Sequence, residues 1–258
     1  MNNLVLFQRE NRITYLTLNR PEKRNALNQE MISSLKNELI NAKTDTETKV
    51  IVLRSNGTVF SAGADLEHLQ KIQNNSYEEN LTDSNQLKEL YELIYTHPKV
   101  IIAQIEGSAI AGGCGLATIC DFAFTIPEAK FGYSEVRIGF IPALVMIFLI
   151  RKIGETKTKE LLLTGKLIEA QQAIQYGLVN FVFSKDEIAT KVKEFATSLC
   201  TETSAQSLKT TKEMIANIQT LSLEKALNYA AEMNAHARST EDCKKGIAAF
   251  LNKENLIW

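Results

Sequence analysis

The stretch "EGSAIAGGCGLATICDFAF", residues 106–124, decides the fold that we expect for this chain. Four of the twelve glycines lie between Gly107 and Gly115, directly after the apolar run "VIIAQIE" of residues 100–106. Glycine lets a backbone approach a ligand closely, and it costs conformational entropy on folding wherever it is used. A buried strand followed by glycines and then by a helix therefore predicts a binding site made of main chain.

Composition narrows the function classes. The chain has 258 residues, of which 45% are hydrophobic, and a net charge of -1. That charge offers no basic surface for nucleic acid. No run reaches the ~18 apolar residues of a membrane span, and the N-terminal segment lacks the features of a signal peptide. The four cysteines have irregular spacing, which favours free thiols over disulfides or a metal site. We expect a cytoplasmic protein with no nucleic-acid partner, no membrane partner and no metal.

The predicted elements form a mixed α/β core followed by helices. Residues 4–10 and 13–19 alternate apolar and polar residues, which predicts a hairpin around Asn11 and Arg12. The runs "VIVLRS" and "VIIAQIEG" suit strands that are buried on both faces. From about Lys185 the pattern is helical. We therefore expect an α/β fold with a core at residues 1–195 and a helical assembly region at residues 196–258.

Two short stretches place small residues between a predicted strand and a predicted helix. They are "SAGADL", residues 61–66, and "AGGCGLA", residues 111–117. The first N–H groups of a helix have no partner within the helix, so the amides of Ala64 and Gly112 are free to bind a ligand. Two such amides that converge on one point would make an oxyanion hole. The alternative for the first stretch is an ordinary turn with Asp65 as a first-turn acid.

The stretch "FGYSEVRIGFIP", residues 131–142, contains a carboxylate in a mostly apolar setting. Burial of Glu135 there would raise its proton affinity and suit it to act as an acid or base. The alternative is a solvated acid that pairs with Arg137 or Arg151.

Taken together, these stretches resemble the enoyl-CoA hydratase/isomerase family, also called the crotonase family, over essentially the whole chain. The pieces that carry the resemblance are "NRPEKRNALN", "FSAGADL", "GSAIAGGCGLATICDFAF", "AKFGYSEVRIGFIP", "LLLTGKLIEAQQAIQYGLVN" and "KGIAAFLNK". The resemblance implies a crotonase-like spiral of β-β-α repeats, with C-terminal helices that assemble trimers or hexamers. It also implies an acyl-CoA thioester as substrate and no separate cofactor, because the coenzyme A is carried by the substrate.

The resemblance further implies roles for particular residues. Ala64 and Gly112 would hold the thioester oxygen, and Glu135 would transfer the proton. We expect coenzyme A to run along "KRNALN" and "SAGADL", with Lys23 or Arg24 near the phosphates unless they form a solvated loop pair. The residues expected to contact substrate are Lys23, Arg24, Ala26, Ala62, Asp65, Leu66, Gly113, Gly115, Tyr133, Phe250 and Lys253.

This chain departs from the family pattern at Gly115. Family hydratases usually carry a glutamate there as well as one at the position of Glu135. A single carboxylate leaves three functions open: a hydratase, which we place first because the motifs resemble methylglutaconyl-CoA hydratases; an enoyl-CoA isomerase; and a non-catalytic acyl-CoA-binding protein. A glutamate introduced at residue 115 should raise hydration if the backbone accepts a side chain. A second departure lies after Pro142, where many family members have glycines and this chain has bulky apolar residues at positions 144–146. These side chains would narrow the acyl pocket or belong to the core of a helix.

The helical region carries more apolar residues than one short bundle can bury. They are Met214, Ile215, Leu227, Met233, Ile247 and Phe250. An exposed apolar face of this kind usually marks an interface. We therefore expect a trimer or hexamer, with Phe250 and Lys253 near an acyl-CoA site.

Overall fold

The computed structural model describes residues 3–258. Met1 and Asn2, which the predicted core includes, lie outside the described residues. The strands are β1 Val5–Glu10, β2 Ile13–Leu18, β3 Val50–Ser55, β4 Val59–Ser61, β5 Val100–Ile105, β6 Ser108–Ile110, β7 Phe122–Thr125, β8 Lys130–Gly132, β9 Ile168–Glu169 and β10 Phe181–Val182. The α-helices are α1 Gln29–Thr44, α2 Leu66–Ile72, α3 Tyr77–Tyr95, α4 Gly112–Ile119, α5 Ala143–Thr164, α6 Ala170–Tyr176, α7 Ile188–Glu202, α8 Ala205–Ile218, α9 Leu223–Ser239 and α10 Glu241–Asn252. Pro21–Lys23 and Glu135–Ile138 form 3-10 helices.

Two sheets organise the molecule. The larger has the strand order β1-β2-β3-β5-β7-β10, and the smaller has the order β4-β6-β8-β9. The predicted hairpin is confirmed, because β1 and β2 pair antiparallel with Glu10 opposite Ile13. From β2 onward the larger sheet is parallel.

The chain winds through these sheets in repeated β-β-α units. The units are β3-β4-α2, β5-β6-α4 and β7-β8-α5. In each unit the first strand joins the larger sheet and the second joins the smaller sheet. This winding is the spiral of β-β-α repeats that the family resemblance implies.

The core lies against the larger sheet. Every residue of β2 and β5 is buried, as the apolar run in β5 predicts for a strand covered on both faces. Helix α7 packs across β2, β3, β5 and β7. Its buried residues Ile188, Val192, Ala196 and Cys200 recur every four positions and so form one helix face. The boundary that we predicted after residue 195 falls inside this helix.

Helix α5 begins directly after a proline. Pro142 is its N-cap, and Val145 and Leu149 are buried. The helix is interrupted at Gly154, which has φ 75° and ψ 170°, and then continues to Thr164. The helix therefore has a kink at Gly154, because glycine tolerates the positive φ that redirects the chain there.

The last three helices are thinly packed. No residue of α8 or α9 is buried, and Ala249 is the buried residue of α10. Within residues 3–258, no helix has the length and apolar character that a bilayer crossing needs.

Candidate functional site

Pairing of β4 with β6 brings the two small-residue turns together. The strands are parallel, with Ser61 opposite Ala109, so the turns after them lie at the same edge of the smaller sheet. Gly63 has φ 89°, and a Cβ built on it would lie 2.8 Å from the Cβ of Ala111 and 3.4 Å from the nitrogen of Gly112. The positive φ and the close neighbours both favour glycine at residue 63, and the lack of a side chain there lets the two turns touch.

The amide of Ala64 faces away from its neighbouring strand. Ala64 forms an isolated parallel bridge with Leu27. The Leu27 amide donates to the carbonyl of Gly63 at 2.7 Å, and the Asp65 amide donates to the carbonyl of Leu27 at 3.0 Å. In a parallel bridge these bonds are made by the residues before and after the bridging residue, here Gly63 and Asp65. The N–H of Ala64 therefore points away from Leu27, and Ala64 is exposed.

Asp65 holds this turn in place. One carboxylate oxygen accepts hydrogen bonds from the amides of Glu67 at 2.9 Å and His68 at 3.2 Å, which makes Asp65 the N-cap of α2. The other oxygen forms an ion pair with Arg20. Burial acts to raise the pKa of Asp65, but the hydrogen bonds from Arg20 and the two amides outweigh it and hold that pKa below its usual value. The ordinary-turn interpretation of Asp65 thus agrees with its contacts.

The amide of Gly112 is presented by a sharp turn. Ala111 has φ 49° and ψ -127°, a conformation that L-residues seldom adopt, and its own amide donates to the carbonyl of Gly132 at 2.8 Å. The chain then enters α4 with Gly112 as its first residue, so the Gly112 N–H has no partner within the helix. Among residues 3–258 neither this N–H nor that of Ala64 donates to a backbone carbonyl outside the regular elements. We call these two N–H groups the amide pair.

Gly113 and Tyr133 contact the protein core. A Cβ on Gly113 would lie 2.5 Å from the carbonyl oxygen of Ser61, so this glycine permits α4 to pack on β4. Tyr133 is fully buried, and its hydroxyl lies 2.7 Å from the hydroxyl oxygen of Thr118. The substrate contacts expected of both residues stay predictions.

Glu135 begins the short 3-10 helix after β8. Its Oε2 atom is buried without a hydrogen-bond partner among the described residues. Burial raises the pKa of Glu135, against a smaller opposite effect of a hydrogen bond from its own backbone amide. No ion pair among residues 3–258 links it to Arg137 or Arg151; the Arg151 guanidinium instead lies 5.9 Å from the ring centre of Tyr95. The structure therefore favours the acid–base interpretation over the solvated ion pair.

The hydroxyl of Tyr91 contacts the first turn of α4 and is affected by the charge of Glu135. It donates to the carbonyl of Gly112 at 2.8 Å. Burial raises the pKa of this hydroxyl, and the charge of Glu135 raises it further, so the two groups lie within electrostatic reach of each other. Tyr91 is not among the residues predicted from the sequence. A signal was present, since Leu90, Tyr91 and Ile94 form a buried face of α3, and a buried tyrosine hydroxyl needs a partner.

The space beneath Gly115 is occupied. A Cβ there would lie 2.5 Å from Cγ1 of Val145, 2.6 Å from the hydroxyl oxygen of Tyr91 and 3.0 Å from its Cζ. A glutamate at residue 115 was expected to raise hydration only if the backbone accepts a side chain there. The structure accepts one only if these neighbours move. Of the bulky residues after Pro142, Val145 is buried core and Met146 is 37% exposed.

The segment expected to contact coenzyme A lies beside the Ala64 turn. The carbonyl of Arg24 accepts a hydrogen bond from the amide of Ala62 at 3.0 Å. Ala26 is buried, whereas Leu66 is 76% exposed. Lys23 is exposed and forms an ion pair with Glu67 at 2.6 Å, which raises the pKa of Lys23. A phosphate would compete with Glu67 for this ammonium group.

Phe250 lies on α10 and Lys253 directly follows that helix, which packs against α9. Phe250 is 83% exposed, and Lys253 ends the helix with φ 60°. No hydrogen bond or ion pair within the described chain joins Lys253 to the elements that carry the amide pair and Glu135. Their expected contact with substrate remains a prediction about the assembled protein.

Comparisons with known proteins agree with this geometry. The sequence profile described as enoyl-CoA hydratase/isomerase matches residues 8–258. A Thermus thermophilus protein named "Putative enoyl-CoA hydratase" is 40% identical over 93% of this chain and 95% of its own length. The 2,3-dehydroadipyl-CoA hydratase of Escherichia coli is 34% identical over 96% of each.

Solved structures share the fold. The crystal structure of an enoyl-CoA hydratase from Mycobacterium smegmatis matches with a TM-score of 0.94 and 26% identity, covering 100% of this chain and 99% of that one. An enoyl-CoA hydratase from Bacillus anthracis matches with a TM-score of 0.91 and 28% identity over 99% and 98%. By profile, sequence and fold, this chain belongs to the enoyl-CoA hydratase/isomerase family.

Proposed function

We propose that this protein is an enoyl-CoA hydratase in which the amide pair binds the thioester oxygen and Glu135 is the sole carboxylate that transfers protons. The observation that carries the proposal is the buried, unpartnered Oε2 atom of Glu135. A buried polar atom without a partner costs folding free energy, about 1–3 kcal/mol, and such a cost is common at functional sites. Its charge also reaches Tyr91, whose hydroxyl contacts Gly112.

The chemistry follows from charge development on the thioester. Water attacks the β carbon and the electron pair of the double bond moves to the thioester oxygen, which becomes an enolate. The amide pair stabilises that oxygen, and the dipole of α4 adds to the effect at Gly112. Glu135 takes the proton that the water loses and returns it to the α carbon, so that one water is added across the double bond.

The raised pKa of Glu135 suits this double role. A general base that must later act as an acid works best when its pKa lies near the working pH. Burial moves the pKa of Glu135 in that direction.

An enoyl-CoA isomerase is the second candidate, and the filled space beneath Gly115 favours it. Moving a proton from the γ to the α carbon needs one base and no bound water. A second acid at residue 115 that would hold such a water would overlap Tyr91 and Val145 unless they move. A non-catalytic acyl-CoA-binding protein is less favoured, because binding alone gives no reason to bury an unpartnered carboxylate.

Two substrates separate the three functions. With crotonyl-CoA a hydratase removes the conjugated double bond, so the ultraviolet absorbance of the enoyl thioester falls and the product gains the mass of one water. With a 3-enoyl-CoA an isomerase creates the conjugation, so the absorbance rises at constant mass. A binding protein changes neither.

Variants then assign the reaction to the site. Glu135→Gln keeps the shape of the side chain but removes the base, so turnover should fall about 10²-fold or more with little change in KM. Glu128→Gln is the matched control, because Glu128 is exposed in the turn after β7. Near-normal turnover in Glu135→Gln would remove Glu135 from the mechanism.

We also propose that the protein assembles as a trimer or hexamer. Helices α8 and α9 bury no residue, and Leu227 and Ile247 are exposed on α9 and α10. Apolar surface of this extent is usually covered by another subunit. For the proposed hydratase activity, we propose a role in fatty-acid or branched-chain acid breakdown.

A further inference from the structure

We propose that Tyr91 is a positioning residue for the thioester site. Its hydroxyl anchors the carbonyl of Gly112 and, together with Val145, occupies the space that a side chain at residue 115 would take. The inference rests on the proposed function, since it concerns the donor that Gly112 offers to the thioester oxygen. Tyr91 lies on α3, 21 residues before Gly112 in sequence. Nothing in the motif of α4 itself discloses the contact.

The hydrogen bond acts on the residue that donates to the substrate. The Tyr91 hydroxyl bonds the carbonyl of Gly112, and it would lie 3.3 Å from a Cβ built on Gly112. The N–H and the carbonyl of one residue belong to adjacent peptide planes, so anchoring the carbonyl limits rotation of the N–H. Preorganised donors stabilise a developing oxyanion only when they already point at it.

The tyrosine ring is itself held firmly. Tyr91 is fully buried, and its ring makes an edge contact with Phe148 of α5, with ring centres 6.1 Å apart. A side chain locked in this way transmits the position of α3 and α5 to the first turn of α4. Because the hydroxyl is buried and burial raises its pKa, it acts as a neutral donor and not as a base.

The same hydroxyl crowds the position of residue 115. Any Cβ at residue 115 would overlap Tyr91 and Val145, at 2.6 and 2.5 Å. Tyr91, Gly115 and Val145 therefore form an interlocked set, in which the small residue on α4 and the larger residues on α3 and α5 depend on one another. A second carboxylate at residue 115 would have to displace these side chains.

The test uses Tyr91→Phe, which removes the hydroxyl and keeps the ring. The matched control is Tyr95→Phe, one turn later on α3, whose ring also packs on Phe148, with ring centres 5.1 Å apart. The probe is butyryl-CoA labelled with carbon-13 at the thioester carbonyl. Its carbon-13 resonance reports how strongly the carbonyl is polarised, without any turnover.

In the wild-type protein the resonance should move downfield on binding. In Tyr91→Phe that shift should shrink by about half. Turnover should fall about 10-fold with KM nearly unchanged. This loss of turnover is smaller than the ~10² to 10³ expected when a whole oxyanion donor is removed. Tyr95→Phe should match the wild type. A full shift and full turnover in Tyr91→Phe would overturn the inference, whereas no shift in the wild type would instead overturn the proposed function.

A stability cycle tests the interlock separately. Gly115→Ala alone should lower the unfolding free energy by about 1–3 kcal/mol through overpacking. In a Tyr91→Phe, Val145→Ala background the same substitution should cost less than half as much, because both overlapping atoms are gone. Equal costs in the two backgrounds would show that Tyr91 and Val145 do not exclude a side chain at residue 115.

Discussion

At the scale of single residues, Glu135 illustrates a conflict between stability and function. Its buried Oε2 atom has no partner among the described residues, and burial raises its pKa. For a carboxyl group whose folded-state pKa is raised, the folded state binds the proton more tightly than the unfolded state. The contribution of this group to stability is therefore full below its usual pKa of 4.5 and is lost as pH rises through the folded-state value.

Replacement of Glu135 should expose this conflict. We predict that Glu135→Gln raises the melting temperature by about 2 °C at pH 7, because the neutral amide avoids the cost of a buried charge. The gain should disappear below pH 4.5, where the wild-type carboxyl is protonated in both states. Scanning calorimetry from pH 4 to 8, with Glu128→Gln as control, measures it. A melting temperature that is unchanged or lower at pH 7 would contradict the buried-charge account.

The sequence was informative about some residues of the site and silent about others. Glycines and a lone acid in an apolar stretch are local signals, and they indicate Ala64, Gly112 and Glu135 as candidates. Tyr91 was missed because its contact with Gly112 joins two helices, and no local pattern encodes the distance between helices. The burial of Tyr133 was missed for the same reason, since Thr118 lies on a different element.

At the scale of elements, α2 is held by charge more than by packing. It buries no residue. Its attachments are the Asp65 cap with the Arg20 ion pair, the Lys23–Glu67 pair and a contact of His68 with Asp83 at 2.9 Å. Because α2 follows directly after Ala64, these pairs also help to fix one member of the amide pair.

The Lys23–Glu67 pair makes a prediction about coenzyme A. If Lys23 and Arg24 bind the phosphates, replacing both by Ala should weaken acyl-CoA binding more at low salt than at high salt. Glu67→Gln should do the opposite and tighten binding about two-fold at low salt, because it frees the Lys23 ammonium group. Titration calorimetry with butyryl-CoA at two salt concentrations measures both effects.

The control for this prediction is Glu22→Gln. It removes the same charge from the neighbouring 3-10 helix and leaves the Lys23–Glu67 pair in place. Tighter binding in Glu22→Gln as well would indicate a general charge effect. Unchanged affinity in the double alanine variant would place the phosphates elsewhere.

Elements with a clear period were predictable, and short ones were not. The hairpin and the buried strands follow from alternation and from short apolar runs. The 3-10 helix at Glu135 has four residues, too few for a period, and its shape depends on the α5 helix that it contacts. The continuation of α5 beyond Gly154 likewise depends on burial of Leu161 and Leu162 in the core.

At the scale of the whole molecule, the surface of the C-terminal helices predicts an assembly. Leu227 on α9 is 61% exposed, so its replacement by Asp should leave the fold of the single chain unchanged. We predict that the wild type runs as a trimer or hexamer in light scattering and that Leu227→Asp shifts it toward smaller species. Ile40→Asp on α1 is the control. A wild-type monomer at micromolar concentration would contradict the prediction.

The central claim is that the amide pair stabilises an enolate while Glu135 carries its proton, and exchange of α protons tests it most directly. Butyryl-CoA has no double bond to hydrate or shift, so incubation in deuterium oxide isolates enolate formation from hydratase and isomerase chemistry. We predict that the wild-type protein incorporates deuterium at the α carbon, and that Glu135→Gln does so at least about 10²-fold more slowly while still binding butyryl-CoA. Exchange at the wild-type rate in Glu135→Gln would contradict the claim.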